Sequence, residues 1–183
     1  MGKLVVFVVL TFILVYISRA SLRTPRSHGF YRFFAWEIIV ALVVRNIDLW
    51  FQDPWSWHQL VSWFLLILSI IPLSFGLSRL ISRGKSVKLR GSAPELLPFE
   101  KTTELVNSGI YHYIRHPLYS SLLLLAWGVF FKSPDFTNAL LAAAATGFLF
   151  LTAKADEAEC LHFFGSSYQE YMQRTRMFIP FVL

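Results

Sequence analysis

The fold is decided by the stretch Arg115-His116-Pro117-Leu118-Tyr119-Ser120-Ser121-Leu122-Leu123-Leu124-Leu125-Ala126-Trp127, in which a charged turn runs directly into an apolar segment. Proline disfavours helix at the residue before it and suits the first turn of a helix, so the sequence predicts a bend at His116 and a helix from Pro117. An apolar helix that begins beside a cationic turn is typical of a membrane boundary. The pattern therefore predicts a membrane protein with polar side chains gathered at one membrane face.

The composition agrees with a membrane location. The 183 residues are 55% hydrophobic and 15% charged, whereas soluble domains carry about a quarter charged residues. The net charge of +6 comes from basic residues that flank apolar runs, where they set membrane orientation, so we expect no nucleic-acid partner. The single cysteine, Cys160, cannot form an intramolecular disulfide or a multi-cysteine metal site.

Five apolar runs predict the helices. They cover residues 4–17, 34–51, 60–81, 118–131 and 136–153. A helix needs about 20 residues to cross a hydrocarbon layer of about 30 Å, and backbone polar groups in lipid must be satisfied within the segment. We therefore predict an all-α polytopic membrane helix bundle with about five transmembrane helices. Residues 1–183 would form a single membrane domain, with three helices in 1–81 and a catalytic half with a helical hairpin in 82–183.

The basic residues of the loops predict the orientation of the bundle. They cluster after the first run, in the 82–117 loop and in the C-terminal tail, whereas the loops after the second and fourth runs carry few. Basic loops face the cytoplasm, so we expect the N-terminus outside and both the 82–117 loop and the tail in the cytoplasm. These two polar segments fall on the same side, and we expect them to form one cofactor pocket.

Three charged residues interrupt the second run. Glu37, Arg45 and Asp48 are the clear intramembrane charges of the sequence. Arg45 and Asp48 are three residues apart, which makes them neighbours on a helix, so we expect them to neutralise each other inside the bundle. A transporter is therefore a weaker interpretation of this chain.

The first candidate constellation lies in the loop before the fourth run. It contains Glu104, Tyr111, Arg115 and His116, directly before Pro117. Carboxylate, phenol and imidazole groups can bind a polar ligand or move a proton. The alternative is an interfacial turn, in which arginine and histidine contact lipid phosphates and the tyrosines anchor the headgroup region. The turn by itself is compatible with both interpretations.

The second constellation follows the fifth run. Asp156, Glu157 and Glu159 lie close together, and the helix that carries them is expected to continue to Phe164 and to end at Gly165. Carboxylates that face lipid are costly, so these should face water or a polar pocket. The alternative is a solvated helix extension, because a run of charges usually marks a solvated face.

Metal binding is a weaker hypothesis. His112 and His116 have the i, i+4 spacing of a helix face, but the sequence lacks a His-Glu-x-x-His motif and a second cysteine. A nucleophile elbow, a P-loop and a Gly-x-Gly-x-x-Gly turn are also absent. We therefore predict no catalytic metal and no soluble nucleotide-binding fold.

Together, the polar segments resemble the isoprenylcysteine carboxyl methyltransferase family and the related phospholipid methyltransferases. Arg115-His116-Pro117-Leu118-Tyr119 is similar to the RHPxY signature of that family, and the acidic pair Asp156-Glu157 follows in the same order and spacing. Residues 103–111 and 162–171 complete the match. The first half of the chain resembles the family only in hydropathy and in the number of helices.

The resemblance implies an integral membrane methyltransferase with S-adenosylmethionine as the methyl donor. It also implies a cytoplasmic donor pocket beneath a lipid-accessible tunnel, and a lipid or amphiphilic small molecule as the acceptor, with membrane lipids around the protein. Carboxylates can bind the ammonium or ribose hydroxyls of the donor, and an aromatic face can contact a sulfonium. The donor contacts of the family transfer to Thr103, Glu104, Leu105, Val106, Tyr111, His116, Pro117, Leu118, Tyr119, Asp156 and Glu157.

One departure from the family bears on the acceptor. The resemblance implies an arginine one helical turn before the first acid, associated with a substrate carboxylate, and Thr152 occupies that position here. Arg115 and Arg174 are the candidate replacements, so Glu157, Arg115 and Arg174 are the predicted catalytic residues.

Several acceptors fit this pattern. The acceptor interpretations are a prenylcysteine-type carboxylate, a phospholipid amine and a small-molecule thiol. A carboxylate needs no general base, whereas an ammonium must lose a proton, for which Glu157, His116 and Tyr111 are candidates. The non-enzyme alternative is an inactive membrane scaffold or sensor that retains the fold.

Overall fold

The chain folds into helices joined by short turns. The computed structural model describes residues 1–83 and 104–181. Its α-helices are α1 (Gly2–Ser18), α2 (His28–Asn46), α3 (Trp57–Arg83), α4 (Pro117–Phe130), α5 (Phe136–Phe164) and α6 (Ser166–Arg174). No β-strand forms within those two ranges, and the predicted all-α fold class is confirmed.

Capping groups explain where the helices begin and end. The Ser27 side chain accepts a hydrogen bond from Phe30 N at 3.1 Å and starts α2. Asp135 accepts one from Asn138 N at 2.8 Å and starts α5. Gly165 ends α5 with a φ of 60°, a conformation that glycine adopts more readily than other residues. The predicted end of the fifth helix at Gly165 is therefore confirmed.

The core lies between α2, α4 and α5 and has three layers. The layers are Ala35 with Tyr119, Leu149, Ala153, Met177 and Phe178; Ile39 with Ala126 and Ala145; and Leu42 with Val129 and Ala142. The residues from α2 are three or four positions apart, which is the spacing of one helix face. From the first layer to the third, residue numbers rise along α2 and fall along α5, so these helices are antiparallel. The alanines of α5 allow a close approach.

Two glycines set the contact between α3 and α4. A Cβ on Gly76 would lie 3.0 Å from Pro117 Cγ, and a Cβ on Gly128 would lie 3.0 Å from Leu66 Cδ2. Small residues at such positions let helices pack at short distance. Because Pro117 is the first residue of α4, the contact at Gly76 places the end of α3 beside the bend at His116.

Within residues 1–83 and 104–181, two helices have the length and hydropathy of a membrane span. They are the α3 segment Trp57–Ser82 and the whole of α5, Phe136–Phe164. The apolar helices α1 and α4 are shorter. Large apolar side chains are exposed along α1 and α3, among them Leu4, Phe12, Phe64, Ile67 and Phe75. Apolar surface on this scale, together with the two long helices, supports association with a membrane.

The expected pairing of Arg45 with Asp48 is wrong. Arg45 lies 3.3 Å from a carboxylate oxygen of Asp135, and Asp48 lies 2.7 Å from the ammonium of Lys3. The reason is that α2 ends before Asp48, which lies in a 3₁₀ turn (Ile47–Leu49) and so leaves the helical register that would bring the two side chains together.

Candidate functional site

The C-terminal tail fixes the turn that precedes α4. Arg115 N donates to Arg176 O at 2.7 Å, His116 N donates to Met177 O at 3.1 Å, and Arg176 N donates to Tyr113 O at 3.0 Å. The Ser120 hydroxyl adds a bond to a tail carbonyl at 2.8 Å. The two polar segments that the sequence placed on the same side are therefore joined through their backbones.

A buried ion pair lies behind this turn. Arg115 Nε and Nη2 both lie 2.8 Å from Glu157 Oε1, and the two side chains are 9% and 4% exposed. The remaining Nη1 donates to the carbonyl oxygens of Met172, at 3.1 Å, and Thr175. Lys154 donates to the second oxygen of Glu157 at 3.1 Å. The guanidinium of Arg115 is thus fully engaged and holds α5 to the tail.

His116 lies between two carboxylates. Its Nδ1 is 3.5 Å from Asp156 Oδ2, and its Nε2 is 3.6 Å from Glu157 Oε1. Burial lowers the pKa of His116, but the interactions with Asp156 and Glu157 outweigh burial, and the pKa lies above the ordinary 6.5. No group in the described residues hydrogen-bonds to the buried Nε2. His116 is therefore a buried imidazole that can hold a proton near neutral pH.

Asp156 is the more accessible of the two acids. Its side chain is 28% exposed, whereas that of Glu157 is buried. The Tyr119 hydroxyl donates to Asp156 Oδ2 at 3.2 Å, and the Cys160 thiol lies 3.6 Å from Oδ1. The Tyr119 ring also stacks on the His116 imidazole, with ring centres 5.3 Å apart. The second carboxylate of the predicted pair is thus buried in an ion pair, and the first faces a cavity.

This cavity has a volume of about 110 Å³ and opens to solvent. Ligand pockets combine apolar walls with a few polar groups. The lining residues are Leu80, Leu105, Val106, Tyr111, Arg115, His116, Pro117, Leu118, Tyr119, Asp156, Cys160, Phe164, Tyr168 and Tyr171. This mixed lining fits a ligand that has both polar and aromatic parts.

Two buried tyrosines of α6 remain neutral phenols. Burial raises the pKa of Tyr168, and the nearby Cys160, Asp156 and Glu157 raise it further. Burial also raises the pKa of Tyr171, whose hydroxyl donates to the Tyr111 carbonyl at 2.6 Å. These residues can donate hydrogen bonds and pack against a ligand, but neither is a phenolate at neutral pH.

The cavity brings together most of the predicted site residues. Among them, Leu105, Val106, Tyr111, His116, Pro117, Leu118, Tyr119 and Asp156 line it. Arg115 also lines it, and Glu157 supports it from behind through the ion pair. Glu104 and Arg174 are exposed and do not line the cavity, and Thr103 falls outside the described residues. In the described ranges, no three histidine, cysteine or acidic side chains group in a way that could hold a metal ion.

Sequence reasoning missed several lining residues. They are Leu80, Cys160, Phe164, Tyr168 and Tyr171. Cys160 and Phe164 follow Asp156 at intervals of four, so helix periodicity alone places all three on one face of α5. The two tyrosines are three apart on α6 and share a face in the same way. Leu80 comes from α3, and no local pattern links it to this cavity.

Fold and site together define a helical protein with apolar helices that support membrane association, and with a buried acid–base cluster beside a cavity. Residues 89–171 match the phospholipid methyltransferase family. Over 154 residues, the chain is 29% identical to a methanethiol S-methyltransferase of Pseudomonas sp. (strain GM41(2012)), a match that covers 81% of this chain and 54% of that protein. It is 26% identical to protein-S-isoprenylcysteine O-methyltransferase B of Arabidopsis thaliana, over 91% of this chain and 83% of the relative.

A third relative is the protein-S-isoprenylcysteine O-methyltransferase of Schizosaccharomyces pombe, 33% identical over 43% of this chain and 34% of that protein. The chain thus spans about half of the Pseudomonas relative and a smaller part of the fission yeast one. No solved structure matches the chain significantly. The chain is therefore similar to isoprenylcysteine carboxyl methyltransferase-like methyltransferases, and the predicted resemblance is confirmed.

Proposed function

We propose that this protein is an integral membrane methyltransferase that uses S-adenosylmethionine and methylates a lipid-phase or amphiphilic acceptor. The observation that carries the proposal is the cluster of His116, Asp156 and Glu157, built from both predicted polar segments and placed at a cavity with a mixed polar and aromatic lining. An interfacial turn that only contacts lipid phosphates would not need a buried imidazole between two carboxylates.

The groups that line the cavity fit S-adenosylmethionine. The partly exposed Asp156 carboxylate is suited to an ammonium or to ribose hydroxyls, and the faces of Tyr111 and Tyr119 are suited to a sulfonium. Leu105 and Val106 lie in the wall, and their backbone groups are suited to the edge of an adenine. The buried Nε2 of His116 adds a polar group that has no hydrogen-bond partner within the described chain.

When bound, S-adenosylmethionine supplies a methyl group that its sulfonium makes electrophilic. The protein then needs to align the acceptor with that methyl group and to exclude water. In this arrangement Glu157 and Arg115 hold the turn and α5 in place, and Asp156 orients the donor. In its neutral form, His116 receives the proton of an acceptor that must lose one, because its buried Nε2 has no hydrogen-bond partner in the described residues.

A thiol is a second acceptor that the geometry favours over a carboxylate. A carboxylate acceptor would require a cation, and Arg115, a predicted replacement for the family arginine, already uses its guanidinium on Glu157 and two carbonyls. Arg174 is exposed at the end of α6. A thiol requires a base instead, which His116 provides. The similarity over 81% of this chain to a protein named methanethiol S-methyltransferase agrees with this choice.

We further propose a topology of about five membrane spans, with the cavity and the C-terminal tail in the cytoplasm and the N-terminus outside. The basic loops support this orientation. Residues 1–183 then act as a single membrane domain, in which residues 1–81 form three N-terminal helices and residues 82–183 carry the catalytic half.

The test combines donor binding with product analysis. Calorimetry on purified protein should detect S-adenosylmethionine binding, and both His116→Ala and Glu157→Ala should weaken it. Incubation with native lipid extract and methyl-labelled donor should give a labelled product, and its chemistry identifies the acceptor. A base-labile product indicates a carboxyl ester, whereas an alkali-stable product indicates a thioether or a methylamine. Absence of donor binding by the intact protein would support a scaffold or sensor and refute the proposal.

A further inference from the structure

A second buried imidazole lies close to the site but outside the residues that the sequence singled out. His28 is the first residue of α2 and is 1% exposed. Its backbone N–H donates to Glu159 Oε1 at 2.9 Å, and its ring Nδ1 lies 2.7 Å from Glu159 Oε2. Both oxygens of one α5 carboxylate therefore contact the same residue of α2.

The hydrogen-bond chemistry fixes the proton on the His28 ring. An ionised carboxylate only accepts hydrogen bonds, so the Nδ1 that contacts Glu159 must carry the hydrogen. Two N–H groups of His28 then point at one carboxylate, at the N-terminus of α2, where the helix dipole also favours a negative charge. Such charge-assisted pairs are the stronger class of hydrogen bond, so this contact holds the start of α2 firmly against α5.

The position of the pair along α5 connects it to the site. Ala153, Asp156 and Glu159 are three residues apart, about one helical turn at each step. Ala153 packs in the core layer that includes Ala35 of α2. The turn of α5 that carries Asp156 thus lies between a core contact with α2 on one side and the bond to His28 on the other.

The contact with His28 also opposes a charge repulsion within α5. Asp156 and Glu159 are like charges at a spacing of three, which repel each other on a helix. The two N–H groups of His28 hold Glu159 on the α2 side.

We propose that His28 is a positioning residue of the donor site: by binding Glu159 it fixes the turn of α5 that presents Asp156 to the cavity. This inference rests on the proposed function. His28 lies outside residues 89–171, the part of the chain that matches the phospholipid methyltransferase family. The N-terminal half of the molecule therefore contributes to the site through α2, in addition to Leu80 of α3, which lines the cavity.

The experiment measures S-adenosylmethionine affinity by calorimetry on the purified full-length protein and on variants of this pair. His28→Ala should raise the donor Kd about tenfold, since a charge-assisted hydrogen bond of this kind is lost. His28→Asn can place its amide N–H near the position of Nδ1 and should restore the affinity to within about threefold of the native value. The double variant His28→Ala with Glu159→Gln should be no weaker than His28→Ala, because both changes break the same contact.

A histidine at the other end of the bundle provides the matched control. His58 of α3 contacts the Phe131 carbonyl at 3.1 Å, so His58→Ala also removes a histidine–backbone contact between helices. It should leave the donor Kd unchanged. For each variant, thermal unfolding without donor is measured, together with KM and kcat. For His28→Ala we expect the KM for the donor to rise more than kcat falls.

Three results would overturn the role of His28. They are native donor affinity in a folded His28→Ala protein, equal losses in His28→Ala and His58→Ala, or an Asn variant as weak as the Ala variant. If His28→Ala does not fold, donor affinity is compared in His28→Asn and Glu159→Gln instead. A rise in the donor Kd with Glu159→Gln alone supports the positioning role of His28, and an unchanged Kd refutes it. If the native protein itself binds no donor, the proposed function fails instead, so the two failures are distinguishable.

Discussion

Each end of the bundle buries a cation, but the groups that surround the two cations differ in charge. At the site, Arg115 is bound by the carboxylate of Glu157. At the far end, Lys132 is 2% exposed, and its ammonium lies 3.7 Å from the ring centre of Trp63 and donates to Gln59 Oε1 at 2.9 Å. Burial lowers the pKa of Lys132 to about 8. The first cation has a charged partner, whereas the second has neutral ones.

This difference distinguishes the proposed site from a contact that only joins helices. Around Arg115, the carboxylate of Asp156 and the imidazole of His116 are left with polar atoms that a ligand can contact, and both line the cavity. Lys132 joins the turn between α4 and α5 to α3 through Gln59 and Trp63, and none of these three lines that cavity. Buried polar groups at the proposed site thus leave atoms that a ligand can contact, and those at the other end join helices.

The largest effect that this comparison predicts comes from Glu157→Ala. The change leaves the buried guanidinium of Arg115 without its counter-charge, which typically costs about 3–5 kcal/mol of folding free energy. It also releases the turn that carries His116, so we expect methyl transfer to fall about 100-fold or more, as when a buried charge network at a site is broken. Denaturation in detergent and turnover with labelled donor measure the two effects.

Glu157→Gln is the control for this change, since the amide keeps the shape but removes the charge. It should lie between the native protein and Glu157→Ala in both measurements. Native stability in Glu157→Ala would contradict the interpretation of the Arg115–Glu157 pair as the contact that holds the tail.

Lys132→Met should affect stability alone. The thioether fills a similar space but leaves the buried carbonyl oxygen of Gln59 without this donor, so we expect a loss of about 1–3 kcal/mol. Donor affinity should stay within about twofold of the native value. Calorimetry with S-adenosylmethionine checks the second expectation, and a clear loss of affinity would break the distinction between the two ends.

The sequence predicted the parts of the site that local patterns encode. The bend at His116 follows from Pro117, and the end of α5 follows from Gly165; both are confirmed. Hydropathy alone placed the second run at 34–51, and it missed residues 28–33 at the start of α2, where His28 and Arg32 interrupt the apolar pattern. Residues whose role depends on a local turn were therefore accessible to sequence reasoning.

Contacts between distant segments were not accessible. Nothing near Glu159 indicates that its partner is His28, 131 residues away along the chain, because the contact depends on the antiparallel packing of α2 and α5. Likewise, Arg45 pairs with Asp135 across the bundle and not with its neighbour Asp48. Sequence patterns predicted several of the polar residues that line the cavity, and tertiary packing decided which side chains meet.

The pH dependence of stability should have opposite signs at the two ends. The pKa of His116 is raised in the fold, so its contribution to stability is present below about pH 6.5 and is lost as the pH rises through the folded pKa. The pKa of Lys132 is lowered to about 8, so the unfolded chain binds more protons above that pH and stability rises from about pH 8 to the unfolded pKa near 10.5.

Unfolding curves in detergent between pH 5 and 10, on the order of one curve per pH unit, resolve these slopes. His116→Gln should abolish the fall above about pH 6.5, and Lys132→Met should abolish the rise above about pH 8. If either variant retained the slope assigned to its residue, another group would be responsible for it.

The smallest expected effect comes from a glycine at the site. Gly109 has a φ of 66°, and a Cβ there would lie 2.7 Å from Arg79 Nε, so Gly109→Ala must both strain the backbone and displace the arginine. The backbone term alone costs about 1–2 kcal/mol. Because Gly109 begins the turn that carries Tyr111 into the cavity, part of this cost should weaken donor binding, by about three- to tenfold.

Gly147, inside α5, is the matched control. A Cβ there meets nothing within 4 Å, and replacement of a helical glycine by alanine usually stabilises a helix by about 0.5–1 kcal/mol. Gly147→Ala should therefore raise the unfolding temperature and leave the donor Kd unchanged. Gly109→Ala should lower the unfolding temperature and raise the donor Kd. Equal behaviour of the two variants would mean that the turn before α4 tolerates distortion, and that the backbone bonds from the tail to Arg115 and His116 suffice to hold the site.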